Sequence, residues 1–225
     1  MPINKQIVIF DFCETLVDFQ TADAFVDYVR NNLKLDIINR RECIGKWIRS
    51  LRIVGYADAL VFHRSILKRL KLWQLKGITE KKLKELAAGY YNQQIKPHLI
   101  GDTLELLKKH QKEGCQIWLV SGGYGIYLKY FSQDYGIDQT ISSDLEFKKG
   151  ISTGKMKGLD CMRNSKVKLL YKNLTKTIDD YRIVASYSDS KTDVPILNVA
   201  EQGIVVSRKP QSWVKKTKYK EIIWK

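Results

Sequence analysis

The sequence predicts an α/β fold, in which a Rossmann-like open, mostly parallel sheet has helices on both faces and carries an inserted α-helical block. Three observations support this prediction. Short, almost wholly apolar runs alternate with helical patterns, as expected of strands that are buried on both faces and joined by right-handed crossovers. One stretch, residues 20–96, shows helical periodicity alone. The 225 residues are 44% hydrophobic, which excludes a wholly disordered chain and suffices for a core without disulfide or metal support.

Four runs rich in β-branched or aromatic residues predict the strands: Gln6–Phe10, Gln116–Val120, Arg182–Tyr187 and Gly203–Val206. Between these runs apolar residues recur with helical spacing, which predicts helices over Thr103–Glu113, Ile126–Tyr135 and Lys166–Leu174. The stretch Thr140–Gly154, with Lys149-Gly150 at its turn, predicts a β-hairpin added to the sheet.

The stretch 20–96 is predicted to be a separate helical insertion. Four segments show helical periodicity, over 21–32, 41–54, 57–73 and 79–95, and no strand pattern interrupts them. Asp58 and Thr79 have the character of helix N-caps, and Pro97 marks the exit from the insertion. The predicted domains are therefore an α/β body, formed by residues 1–19 and 97–225, and the helical insertion, residues 20–96.

The net charge of +15 is unevenly divided along the sequence. The helical insertion carries a net +9 and the C-terminal tail, residues 208–225, a net +6, so the predicted body is neutral. This distribution fits an anionic small molecule drawn towards the insertion, or contact with nucleic acid or anionic lipid. In the tail, Trp213 and Trp224 are interleaved with lysines, and we predict a helix that packs these aromatic side chains on the body.

Cysteine and hydropathy patterns favour a cytoplasmic protein. Cys13, Cys43, Cys115 and Cys161 are scattered without a Cys-x-x-Cys pair, which argues against a disulfide framework or a zinc site. No apolar run approaches the ~20 residues that span a bilayer. The N-terminal run Ile7–Phe10 is too short for a signal peptide, so we expect neither a transmembrane segment nor a secretion signal.

Polar residues follow the predicted strands at the edge where open α/β sheets bind ligands. They are Asp11 after the first strand, Ser121-Gly122-Gly123 after the second, Asp189 and Asp193 after the third, and Lys166 at the start of the preceding helix. Each alone is more often a turn, a cap or a solvated lysine, but their coincidence at one edge suits phosphoryl chemistry. Carboxylates bind Mg²⁺, Ser-Gly-Gly at a helix N-terminus binds phosphate oxygens, and a lysine balances their charge. An aspartate can itself be the nucleophile and form an aspartyl-phosphate.

These motifs also resemble those of a known family. Phe10–Val17 (FDFCETLV) is similar to the first motif of the haloacid dehalogenase superfamily, usually DxDxT. Leu119–Gly123 resembles the second motif, Lys166 the third and Tyr187–Asp193 the fourth. Motif order and spacing, with a helical cap inserted directly after the first motif, are most similar to the phosphoserine-phosphatase-like branch. The resemblance covers essentially the whole chain and is weak in the insertion and at the C-terminus.

The resemblance implies a role for each motif residue. Asp11 would be the nucleophile, and water would then hydrolyse the aspartyl-phosphate. Mg²⁺ would be bound by the Asp11 carboxylate, the main-chain carbonyl of Cys13 and Asp189, with Asp193 in support. The transferring phosphoryl group would be bound by Ser121, the Gly122 amide and Lys166.

Cys13 departs from the family pattern, because it replaces the aspartate that acts as general acid and base. Loss of such a group typically costs ~10²–10⁴-fold in rate. Three explanations are open: the substrate has a good leaving group, another group such as Glu14 or a cap residue supplies the proton, or the protein no longer turns over.

Further departures concern the substrate. Gln20 falls where phosphoserine phosphatases carry an acidic residue for the substrate amine, and His63-Arg64 lie near the position of their carboxylate-binding arginine. Thr192 replaces the usual Asn of the fourth motif, although its hydroxyl could still bond phosphate. Phosphoserine is therefore not the substrate that we expect.

The sequence thus predicts a Mg²⁺-dependent phosphatase for a small anionic phosphomonoester, such as a sugar phosphate, a nucleotide or a phospholipid head group. The alternative is a catalytically weak or inactive binding protein of the same fold, which docks on nucleic acid or anionic lipid through its basic cap and tail.

Overall fold

A seven-stranded sheet forms the centre of the computed structural model, which describes residues 5–34, 65–177 and 181–224. The strands are β1 (Lys5–Phe10), β2 (Gln116–Tyr124), β3 (Gln139–Lys148), β4 (Ile151–Lys157), β5 (Tyr181–Ser188), β6 (Gln202–Ser207) and β7 (Lys220–Ile223). Their order in the sheet is β4-β3-β2-β1-β5-β6-β7. All neighbouring strands run parallel except β3 and β4, which are antiparallel.

Seven α-helices lie in the described ranges. They are α1 (Thr21–Leu33), α2 (Ser65–Leu72), α3 (Glu80–Tyr90), α4 (Gly101–Lys112), α5 (Gly125–Asp134), α6 (Asn164–Thr177) and α7 (Val194–Leu197). None of them is long and apolar enough to cross a membrane.

Helices cover both faces of the sheet, as the near-continuous apolar character of the strands predicts. Along β1, Val8 and Phe10 belong to a core with side chains of α1, α3, α4 and α5. The alternating Ile7 and Ile9 belong to a second core, on the opposite face, with side chains of α6 and α7. Because successive side chains of a strand point to opposite faces, one short strand contributes to both cores. The predicted fold class is confirmed.

The described part of the helical insertion contains helices and no strand longer than a single bridge. Thr79 is an N-cap, as predicted, because its side chain accepts a hydrogen bond from the Lys82 N–H at 3.3 Å. The two segments that connect the insertion to the body lie next to each other, because the Asp18 N–H donates to the His98 carbonyl at 3.0 Å. The predicted helix over 41–54, the first half of that over 57–73 and the Asp58 cap lie outside the described residues.

The predicted hairpin is confirmed, and its turn explains the Lys149-Gly150 pair. Both residues have positive φ, 49° for Lys149 and 73° for Gly150, as two-residue hairpin turns of the primed type require. The strands on either side are longer than predicted, since β4 continues to Lys157.

Two local predictions are wrong. Ser121-Gly122-Gly123 do not follow the second strand but lie within β2, which resumes pairing with β3 at Tyr124, opposite Ser143, after an irregularity. The predicted tail helix is limited to one 3-10 turn, Val214–Lys216, and residues Lys220–Ile223 instead form strand β7, which adds to the sheet edge beside β6. The aromatic packing of the tail is as predicted, since the Trp224 side chain is buried, and the main-chain N–H of Trp224 donates to the Ser207 carbonyl at 3.1 Å.

Candidate functional site

The site lies at the carboxyl edge of the central strand, β1. Phe10, the last residue of β1, is paired with Leu119 of β2 on one side and Tyr187 of β5 on the other. Asp11 follows directly, and its N–H donates to the Tyr187 carbonyl at 2.9 Å. Asp189 is the residue directly after β5. The parallel pairing of β1 and β5 therefore brings the first and fourth motifs together.

A buried ion-pair cluster joins three of the predicted residues. Lys166, near the start of α6, places its Nζ 2.8 Å from Asp11 Oδ1 and 2.5 Å from Asp193 Oδ2. Ser188 donates to the same Asp193 oxygen at 2.7 Å. Burial alone lowers the pKa of Lys166, but the carboxylates of Asp11 and Asp193 outweigh it and hold the pKa above its ordinary value. The lysine is therefore charged at physiological pH.

Asp189 lies close to this cluster without a cation of its own. Among the described residues, no side chain forms a hydrogen bond or an ion pair with its carboxylate. Burial, and then the negative charges of Asp11 and Glu14, raise its pKa to about 8. Burial also raises the pKa of Asp11, although Lys166 opposes this effect.

The charge balance of the cluster fits a divalent cation. Of the three carboxylates, those of Asp11 and Asp193 contact the ammonium of Lys166. The carboxylate of Asp189 has no cation in contact among the described side chains. Clustered carboxylate oxygens that lack a cation are the ligand type that Mg²⁺ prefers. An ion of charge +2 would offset the negative charges that, after burial, raise the pKa of Asp189.

The Cys13 thiol is buried and forms hydrogen bonds within the protein. Its Sγ lies 3.2 Å from Thr21 Oγ1 and accepts from the Thr21 N–H at 3.4 Å, while the Thr21 hydroxyl lies 2.8 Å from the Tyr127 hydroxyl. Burial and the neighbouring Asp11 charge raise the pKa of Cys13 to about 12. At neutral pH the side chain is thus a neutral thiol, which is a weak hydrogen-bond donor and a poor acid.

At the end of β2, neighbouring residues leave no room for a side chain at Gly122 or Gly123. A Cβ at Gly122 would lie 2.9 Å from Met162 Cγ, and one at Gly123 would lie 2.8 Å from the Tyr127 hydroxyl oxygen. Ser121 is fully buried, and its Oγ accepts from the Gly123 N–H at 3.1 Å. The second motif therefore lies against the loop that leads to Lys166.

Other predicted residues are not part of the buried cluster. Gln20 is exposed and donates its side-chain amide to Glu14 Oε2 at 2.7 Å. Thr192 is exposed, and its hydroxyl lies 2.9 Å from that of Ser190. His63 and Arg64 lie outside the described residues.

Sequence reasoning missed one charged residue, Lys68 of α2. Its Nζ donates to the Gly122 carbonyl at 2.6 Å, to Asp160 Oδ1 at 2.5 Å and to Ser143 Oγ at 3.3 Å. Lys68 is only 8% exposed, whereas Leu70 on the same helix is 50% exposed. A signal was present, since Lys68 lies four and seven residues before the buried Leu72 and Leu75 and shares their face.

Two curated proteins are similar to the chain over most of its length. A histidinol-phosphatase from Neisseria meningitidis serogroup C (strain 8013) is 24% identical over 210 residues, which span 90% of this chain and 90% of the relative. A phosphoserine phosphatase from Methanocaldococcus jannaschii is 24% identical over 210 residues, which span 93% of this chain and 89% of the relative.

Solved structures support the fold. A protein of unknown function from Bordetella pertussis Tohama I superimposes with a TM-score of 0.80 at 18% identity, over 97% of this chain and 98% of that one. The model of the haloacid dehalogenase-like hydrolases matches residues 8–198, which include all four motifs. As the motif resemblance implies, the chain belongs to the haloacid dehalogenase-like hydrolase family.

Proposed function

We propose that the chain is a Mg²⁺-dependent phosphatase that hydrolyses a small anionic phosphomonoester through an aspartyl-phosphate on Asp11. The observation that carries the proposal is the buried contact of Asp11 with Lys166, beside the unpaired carboxylate of Asp189. A nucleophilic carboxylate, a fixed ammonium and a place for a cation are what transfer of a phosphoryl group requires. The names of the two curated relatives agree with this class of reaction.

In the first step, an Asp11 carboxylate oxygen forms a bond to phosphorus, and the bond from phosphorus to the leaving oxygen breaks. Lys166, the Ser121 hydroxyl and the Gly122 amide would bind the phosphoryl oxygens, whose charge is spread in the transition state. In the second step, water attacks phosphorus, releases inorganic phosphate and restores the Asp11 carboxylate. A proton from that water leaves with a base or with solvent.

The Asp11 and Asp189 carboxylates, together with the main-chain carbonyl of Cys13, would hold Mg²⁺. When bound, the ion supplies positive charge that offsets the repulsion between the carboxylates and the incoming phosphate. Asp193 has a supporting role, because it accepts from both Lys166 and Ser188 and so holds the ammonium beside Asp11.

The substrate, in this proposal, has a good leaving group and is not phosphoserine. A neutral Cys13 thiol with a pKa of about 12 is a poor proton donor to a leaving alkoxide. Gln20 is uncharged and its amide is bonded to Glu14, so it offers no anion to a substrate amine. The net +9 of residues 20–96, the proposed cap, favours a substrate with negative charge beyond one phosphate. The buried free thiols of Cys13, Cys115 and Cys161 are consistent with a reducing compartment such as the cytoplasm.

The test is release of inorganic phosphate from a broad panel of phosphomonoesters, with Mg²⁺ and with a chelator. We expect Mg²⁺-dependent release from at least one sugar phosphate, nucleotide or acyl phosphate, and its loss in Asp11→Asn. The matched control is Asp144→Asn, which changes an exposed carboxylate of β3 and should keep full activity. The proposal is wrong if Asp11→Asn retains wild-type turnover, or if no substrate is hydrolysed while the protein binds RNA or anionic vesicles.

A further inference from the structure

A buried lysine of the helical insertion is bonded to the predicted phosphate-binding segment. Lys68 has three donor hydrogens, and its three acceptors, at 2.5 to 3.3 Å, belong to the end of β2, to β3 and to the loop before α6. Its Nζ also lies 5.2 Å from the centre of the Tyr124 ring. The ammonium is thus fully engaged within the protein and is not available to bind a substrate directly.

We propose that Lys68 is a positioning residue, which fixes the Gly122–Gly123 peptide from the helical insertion and thereby aims the Ser121 hydroxyl at the phosphoryl group. This inference rests on the proposed function, because it assigns Lys68 a part in phosphate binding. Its consequence is that the phosphate site is complete only when α2 is docked on the body.

The peptide unit between Gly122 and Gly123 is hydrogen-bonded at both of its polar groups. The Gly122 carbonyl and the Gly123 N–H belong to the same planar amide, so they point in opposite directions from one rigid plane. Lys68 holds the carbonyl at 2.6 Å, and Ser121 Oγ holds the N–H at 3.1 Å. Glycines flank this amide and have no Cβ to limit their own φ and ψ angles, so these two hydrogen bonds help to fix its orientation.

The hydrogen of the Ser121 hydroxyl has no acceptor among the described residues. A serine hydroxyl has one donor hydrogen, and the bond from Gly123 uses only an acceptor position of the oxygen. Across the described residues, Ser121 Oγ donates to no partner, although the residue is fully buried. Its hydrogen is therefore available to a phosphoryl oxygen, and the direction in which it points depends on the peptide that Lys68 holds.

Lys68 is itself held in place by an ion pair with Asp160. Asp160 Oδ1 accepts both from Lys68 and from Ser143 Oγ at 2.7 Å, and Ser143 Oγ also accepts from the Cys161 N–H at 3.0 Å. Asp160 lies in the loop whose Cys161 carbonyl and Met162 side chain pack against Gly122. Lys68 thus links the end of β2 to the loop before α6, which form the two sides of the predicted phosphate site.

The test compares Lys68→Met with Lys71→Met. Lys71 lies on the same helix and pairs with Asp27 of α1 at 2.8 Å, so its loss weakens the insertion without touching Gly122. We expect Lys68→Met to lower kcat about 10–100-fold, as misplacement of a binding group does, and to weaken binding of inorganic phosphate by isothermal titration calorimetry. Lys71→Met should stay within about twofold of wild type in both measurements.

A double-mutant cycle with Ser121→Ala distinguishes a positioning role of Lys68 from a purely structural one. If Lys68 acts through the Ser121 hydroxyl, Lys68→Met should lower kcat and phosphate affinity far less in the Ser121→Ala background than in the wild type. Additive losses, or equal effects of Lys68→Met and Lys71→Met, would overturn the inference.

A second variant covers the case in which Lys68→Met does not fold. Asp160→Asn keeps the size of the side chain and can still accept from Ser143, but removes the negative charge that anchors Lys68. We expect it to show the same non-additivity with Ser121→Ala at a smaller amplitude, and additivity would again refute the inference. Phosphate binding is measured without turnover, so failure of the proposed function, seen as no hydrolysis by the wild type, is distinguishable from failure of this inference.

Discussion

Cys13 is the residue whose chemistry differs most from that expected at its position. Its thiol lies against the hydroxyl and main-chain N–H of Thr21, and its pKa of about 12 keeps it protonated throughout the physiological range. A thiol so held neither removes a proton from water nor readily gives one to a leaving alkoxide. On the proposed function, we therefore expect the leaving group to depart with little protonation, so that the rate depends on its own acidity.

We predict a steep dependence of wild-type turnover on leaving-group pKa, with aryl and acyl phosphates hydrolysed much faster than alkyl phosphates. Cys13→Asp should raise hydrolysis of alkyl phosphates by about 10²–10⁴-fold, because a carboxyl placed there restores a general acid. The Thr21 N–H and hydroxyl are already placed to bond it. Steady-state phosphate release over a graded series of esters measures both effects.

Cys13→Ser is the matched control for that series, because it keeps the side-chain size and supplies no acid. It should leave the steep dependence in place. Equal wild-type rates across the series would contradict the leaving-group explanation and would point to another proton donor, with Glu14 the nearest candidate along the chain.

Asp189 gives a prediction about pH. An aspartate in the unfolded chain has a pKa of ~3.9, whereas in the folded, metal-free protein the pKa of Asp189 is about 8. Between these values the folded state holds more protons, so the free energy of unfolding falls as pH rises. The slope is about 1.4 kcal/mol per pH unit, or about 3 kcal/mol between pH 5 and pH 7.

Denaturant unfolding in the presence of a chelator measures this effect as the difference between wild type and Asp189→Asn. The variant should be the more stable protein at pH 8, because it lacks the carboxylate that the cluster repels. Mg²⁺ should stabilise the wild type more at pH 8 than at pH 6, since a bound cation replaces the proton, and should stabilise the variant little. A pH-independent difference between the two proteins would refute the assignment.

At the scale of elements, local sequence patterns predict most strands and helices correctly. The predictions fail for segments whose structure depends on pairing with a distant part of the chain. The buried strands β1, β2, β5 and β6 follow from local apolar runs, and their parallel order follows from the helices between them. The sequence alone therefore predicts that the four motifs lie at one edge of the sheet. The hairpin turn at Lys149-Gly150 was equally local, because two residues of positive φ set it.

The wrong predictions concern elements whose structure depends on distant segments. Ser121-Gly122-Gly123 reads as a turn, yet β3 pairs with Tyr124 beyond it and extends the strand. The tail reads as a basic amphipathic segment, but its backbone joins the edge of β6, and Glu221 accepts from Ser207 and from the Gln211 N–H. Neither partner is visible in a window of local sequence.

Lys68 illustrates the same limit for the site. Within a basic helix a lysine is normally solvated, and burial of its charge is favourable only with acceptors supplied by other elements. Those acceptors, Gly122 and Asp160, lie 54 and 92 residues further along the chain. The periodicity of Leu72 and Leu75 indicates the buried face, but it does not identify what the lysine meets there.

At the scale of the whole molecule, the fold separates the two basic regions. The helical insertion meets the body along α5 and β4, and through Lys68 it reaches the carboxyl edge of β2. The tail ends in β7, which lies on the other side of the sheet, three strands beyond β1. With about 4.8 Å between neighbouring strands, β7 lies roughly 14 Å from β1, which exceeds the Debye length of about 8 Å at physiological ionic strength.

This separation predicts how far the tail contributes to capture of an anionic substrate. The exposed Lys215, Lys216 and Lys218 lie in the segment that leads into β7. Changing them to Gln should leave kcat/KM within about twofold of wild type at 0.15 M salt, because a charge at the distance of β7 is screened before its field reaches the site. At 0.01 M salt the Debye length grows to about 30 Å, and the variant should then fall behind the wild type. Measuring kcat/KM for both proteins across this range of salt tests the argument, since a large deficit at 0.15 M would mean that the tail contacts the substrate or a surface that presents it.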